Sequence, residues 1–74
     1  MIKILITDDS ANMRRMVRVS LGGLSGVSFE EASTGLEAIE RLALTTIDLI
    51  VLDLNMPDMH GLDVLDLIGL HKAY

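Results

Sequence analysis

Cysteine is absent from the 74 residues, so no disulfide or thiolate metal site can form and nothing points to an oxidising compartment. Long apolar runs are missing as well. The first such run, residues 2–7, has Lys3 inside it and is too short for a signal-peptide core or a membrane span. The chain is therefore expected to be soluble and cytoplasmic. Positive charge is in deficit, six Lys and Arg against eleven Asp and Glu, which argues against nucleic acid or an anionic membrane as a direct partner. Arg14, Arg15 and Arg18 do cluster, but they read as the solvated face of a helix rather than as a binding patch. Length is limiting too: a chain this short forms one small domain and buries only about 60% of its unfolded area, so an isolated monomer is marginal. No Ser/His/Asp arrangement, glycine-rich phosphate loop or zinc-ligand spacing occurs.

What is present is a strict alternation of strand and helix patterns. Residues 2–7 are apolar nearly throughout, as in a parallel strand covered on both faces. Ser10 is placed to cap a helix running to about Leu24, with Met13, Met16, Val17, Leu21 and Leu24 inward and the arginines facing away. Gly22, Gly23 and Gly26 turn the chain. Val27 and Phe29 alternate with Ser28 and Glu30 over residues 27–32, which predicts an edge strand with one wet side. Ser33-Thr34-Gly35 makes a turn and cap before a helix over about 36–44. There Leu36, Ile39 and Leu42 share a face, and Glu37 and Arg41 are spaced to pair on the other. Residues 48–53 form a third, almost wholly apolar strand, expected to be central in a sheet. A loop follows, and a third helix starts near Leu62. A β-α-β-α-β-α order with short connections implies a parallel sheet with right-handed crossovers.

Two of these strands end in acid. Asp8-Asp9 closes the first and Asp53 the third. In open parallel sheets the functional crevice lies outside the carboxyl ends of the strands, so three carboxylates are expected at one sheet edge. Like charges that close repel, and the cluster asks for a cation. Oxygen ligands of this kind suit Mg²⁺, with Mn²⁺ as the other candidate.

These residues make the chain resemble the receiver domain of two-component response regulators, a flavodoxin-like (CheY-like) α/β module of three layers. The acid pair Asp8-Asp9 after the first strand, Asp53 at the end of the third, and Asn55, Pro57 and Gly61 in the loop beyond all stand at the family's spacings. The resemblance implies that Asp53 is the phosphoacceptor, that Mg²⁺ sits on Asp8, Asp9, Asp53 and the backbone carbonyl of Asn55, and that a histidine kinase or phosphotransfer protein supplies the phosphoryl group. It implies an acceptor module rather than an enzyme. It covers all 74 residues but only three of the family's five strand-helix units, in the strand order 2-1-3. The hydroxyl residue of the fourth strand and the lysine of the fifth fall outside, and Thr7, Ser10, Ser33 and Lys3 do not stand at their positions. Slow phosphorylation is therefore expected, because phosphoryl transfer depends on positioned charge.

A second reading follows from the same incompleteness. A non-phosphorylated receiver would act as a self-associating module, pairing as a homodimer through the apolar third strand. Other signals are weaker. Met13, Met16, Met56 and Met59 read as core and loop filling rather than a soft-metal surface. Asp58 and His60 loosely resemble the Asp-x-His of cobalamin-binding domains, but Asp63 stands where that motif needs glycine. His71 carries no evident role.

Overall fold

A computed structural model describes residues 1–53. The expected loop with Asn55, Met56, Pro57, Met59, His60 and Gly61, the third helix from Leu62, and His71 lie outside the described residues. The elements are β1 (Ile2–Thr7), α1 (Ala11–Leu21), β2 (Val27–Ala32), α2 (Gly35–Leu44) and β3 (Leu49–Leu52). They form a parallel sheet in the order β2-β1-β3, so β1 is central and β3 is an outer strand among the described residues.

The register sorts side chains between two faces, because neighbours paired across a sheet point the same way. Leu5 is paired with Glu30 and Ile50, and Ile4 with Phe29 and Leu49. On one face Leu5 packs with Ala32 and Ala38, and Ile39, Leu42, Ile47, Ile50 and Leu52 close around them. This is the core, and α2 covers it. Ile4 and Ile6, equally buried, belong to the opposite face, which carries α1.

Several sequence expectations are corrected. The second helix turns Gly35, Ala38, Ile39 and Leu42 inward, while Leu36 is 59% exposed. The first helix stops at Leu21 rather than Leu24, because Gly22 and Gly23 turn the chain and the Leu24 N–H donates to the Leu21 carbonyl. It buries no residue, and Met13 and Met16 are 46% and 60% exposed, so neither fills a core here. β3 begins at Leu49 because Asp48 diverts the ladder. Its N–H donates to the Lys3 carbonyl, and its carboxylate accepts the Lys3 N–H in place of a backbone carbonyl.

Strand β2 has no wet side. Its residues are half-buried as far as Glu31, and its two glutamates are taken up from both faces. Glu31 meets Arg14 and Arg18 of α1, and Glu30 meets Arg41 of α2. Gly26 holds the one positive φ among the described residues, +74°, and its carbonyl accepts the Ile2 N–H, setting the start of the β1-β2 register.

Candidate functional site

The register that builds the core also builds the site. Thr7, the last residue of β1, lies opposite Ala32 and Leu52. The ladder then runs one step further on each side: the Asp8 N–H donates to the Ala32 carbonyl at 3.1 Å, and the Asp53 N–H donates to the Thr7 carbonyl at 2.9 Å. Asp8 and Asp53 are thus held side by side at the carboxyl edge of the sheet, with Asp9 next in the chain. One carboxylate oxygen from each of the three lies within 4.8 Å of the others. Asp8 and Asp53 are half-buried and Asp9 is exposed.

At that separation two unit charges repel by roughly 1 kcal/mol in bulk water and by about 3.5 kcal/mol at the effective dielectric of a protein surface. A divalent cation removes this cost. The donor set is all hard oxygen, which fits Mg²⁺ or Mn²⁺ and does not suit a soft metal. The sequence reading of three converging acids is therefore met in geometry, while the Asn55 carbonyl lies outside the described residues.

Asp8 is fixed at three points. Besides its N–H, its Oδ1 accepts the Ser10 N–H at 2.9 Å, and its carbonyl accepts Arg14 Nη1 at 2.6 Å. Ser10 also caps α1, its hydroxyl accepting the Met13 N–H. Arg14 Nε donates to Glu31 Oε1 at 2.9 Å, so one guanidinium ties the end of β1 to β2. Sequence reading missed this, having placed all three arginines outward. The signal was available: adjacent glutamates in a parallel strand point to opposite faces, and each demands a cation from the helix covering it. Arg18 is the second such cation on Glu31, and its guanidinium lies 5.7 Å over the Phe29 ring.

The expected pairing of Glu37 with Arg41 is replaced. The Glu37 carboxylate accepts the Ser33 N–H and the Ser33 hydroxyl, while Arg41 Nε donates to the Glu31 carbonyl. No helix among the described residues is long and apolar enough to cross a membrane.

Comparison with known proteins places this geometry. Residues 4–73 match the model of the response regulator receiver domain. The chain is 44% identical over 63 residues to chemotaxis protein CheY-3 of Vibrio cholerae, covering 85% of this chain and 48% of that one. It is 41% identical over 63 residues to chemotaxis protein CheY1 of Helicobacter pylori, covering 84% and 51%. The chain thus spans about half the length of these relatives. Among solved structures, the response regulator domain of Thermotoga maritima CheB superposes with a TM-score of 0.86 at 32% identity, covering 95% of this chain and 53% of that one. Vibrio cholerae CheY4 superposes with a TM-score of 0.85 at 34% identity, covering 100% and 61%. With three parallel strands in the order β2-β1-β3 among the described residues and a flavodoxin-like architecture, this chain belongs to the response regulator receiver domain family.

Proposed function

We propose that this chain is the phosphoacceptor part of a two-component phosphorelay, with Asp53 taking the phosphoryl group and Asp8, Asp9 and Asp53 holding Mg²⁺ or Mn²⁺. The observation that carries the reading is the convergence of the three carboxylates within 4.8 Å at the carboxyl edge of the sheet. A carboxylate oxygen of Asp53 attacks phosphorus, the bond from phosphorus to the donor's nitrogen or oxygen breaks, and the donor leaves with its electron pair. A divalent cation held by Asp8, Asp9 and Asp53 would supply positive charge against the phosphoryl oxygens. Asp8 orients its carboxylate through the Ser10 N–H, and Asp53 is kept in line by the Thr7 carbonyl. The phosphodonor in the cell is a histidine kinase or phosphotransfer protein, and the setting is cytoplasmic. The chain is an acceptor in this scheme rather than an enzyme.

A second reading, self-association as a non-phosphorylated module, is favoured by one observation. β3 is an outer strand among the described residues, carries no lysine or proline, and leaves Leu49 half exposed. One experiment separates the two. The chain is treated with a small phosphodonor and Mg²⁺, followed by intact mass and light scattering on a sizing column. A gain of about 80 Da that Asp53→Asn abolishes is the expected result, reporting one added phosphoryl group. No gain, together with a dimer, would replace the first reading with the second.

A further inference from the structure

We infer that Arg14 is a positioning residue for the acid cluster, holding the Asp8-Asp9 turn in the geometry that receives a divalent cation; this rests on the metal-binding reading above. Arg14 is the fourth residue of α1, near the positive end of the helix dipole, where a cation is disfavoured. Yet its side chain is only 15% exposed, against 51% for Arg18. Its contacts account for the placement. Nε donates to Glu31 at 2.9 Å and Nη1 donates to the Asp8 carbonyl at 2.6 Å, two acceptors on two different strand ends. The planar guanidinium meets them with two separate nitrogens held in fixed directions, whereas an ammonium would have to reach both from a single nitrogen. The carbonyl it grips belongs to the residue whose carboxylate joins the cluster, and that carboxylate is fixed from the other side by the Ser10 N–H. Neighbouring arginines provide internal controls. Arg18 bonds Glu31 through Nη1 without a bond to Asp8, and Arg15 is exposed on the same helix.

The sign of the effect separates positioning from simple charge. Removing a cation close to a dication site favours metal binding by Coulomb's law. A positioning role predicts the opposite. Mn²⁺ is titrated calorimetrically into the full chain, with far-UV circular dichroism confirming the fold at the titration temperature. Arg14→Ala and Arg14→Lys should each weaken Mn²⁺ binding about tenfold, the scale expected when a residue that orients a metal ligand is lost. Glu31→Gln should weaken it less, because the grip on the Asp8 carbonyl persists. Arg15→Ala, which removes the same charge, should leave binding unchanged or slightly tighter. Should Arg14→Ala not fold, Arg14→Lys and Glu31→Gln carry the test. Unchanged or tighter binding in the folded Arg14 variants overturns the inference, as does an equal loss in Arg15→Ala. A parent chain that binds no Mn²⁺ overturns the metal-binding reading itself and this inference with it.

Discussion

The two helices are nearly equal in length and both start on a hydroxyl cap, yet they are attached to the sheet by different physics. Thr34 accepts the Glu37 N–H at 3.0 Å and Ser10 accepts the Met13 N–H at 3.3 Å, so the first turns are alike. Beyond the cap they diverge. α2 buries Gly35 and Ala38 and lays Ile39 and Leu42 against Leu5 and Ala32, so apolar contact holds it. α1 has no fully buried residue, its Val17 and Leu21 being only half-buried over the Ile4 and Ile6 face, and Arg14 and Arg18 moor it to Glu31, with Arg18 over Phe29. Small residues let α2 approach the sheet closely. On α1 the arginines carry the polar attachment, and side chains of that length can also cover apolar surface with their methylenes. The charge-held helix is the one whose moorings reach the acid cluster. A polar attachment can fix a backbone carbonyl in place, as Arg14 does for Asp8, whereas an apolar one cannot.

The largest expected effect breaks the apolar side. Leu5→Ala should destabilise the chain by about 3 kcal/mol, the usual cost of emptying a buried leucine site. On the α1 side, Met16→Ala should cost under about 0.5 kcal/mol because Met16 is 60% exposed. Urea unfolding followed by circular dichroism measures both, and comparable losses would mean that α1 is packed more like α2 than its exposure indicates.

A smaller effect breaks the polar side. Glu31→Ala leaves Arg14 half-buried without its carboxylate and should cost roughly 1–2 kcal/mol. The change should be local as well as global: amide exchange should quicken first in α1. Raising NaCl to about 1 M, where the screening length shrinks to about 3 Å, should act in the same direction on α1. Exchange in α2 should hardly respond, since apolar contact is not weakened by salt. Equal responses of the two helices would remove the distinction between them.

How far the sequence announced this follows the same division. Apolar periodicity located β1 and β2 to the residue, the meeting of Asp8, Asp9 and Asp53 followed from the carboxyl-end rule for parallel sheets, and the strand order was implied by the resemblance to receiver domains. Periodicity failed where an attachment is not apolar. Met13 and Met16 carry the pattern of a buried stripe, and Arg14 the pattern of a solvated face, yet their exposures are reversed. A hydrophobic stripe states which residues prefer burial, but which of them obtain it depends on what lies opposite. Opposite α1 is Glu31, a charge that must be met. Boundaries failed where side chains compete with the backbone, as Asp48 does by accepting the Lys3 N–H at the start of β3. The Glu37–Arg41 spacing suited an ion pair, but a closer backbone donor at Ser33 won the carboxylate.

That competition yields the smallest and most specific expectation. The Glu37 carboxyl is held below its ordinary value, first by the Ser33 backbone N–H and then by the Ser33 hydroxyl. The Arg41 and Arg14 charges add to the shift, and partial desolvation opposes it. A carboxyl whose folded pKa lies below its unfolded one binds fewer protons in the folded state, so its ionised form contributes stability. The contribution is fully present above the unfolded value of 4.5 and is lost as pH falls through the lower folded value. Glu37→Gln keeps an acceptor for Ser33 but cannot ionise, so it removes the pH-dependent part alone. Urea midpoints should place the parent slightly above Glu37→Gln at pH 7, and the gap should close as pH falls below 4.5. Because Glu37 opens the apolar-held helix, the gap should survive Glu31→Ala. A gap that vanished in that background would mean that the two helices are coupled through β2 rather than attached independently.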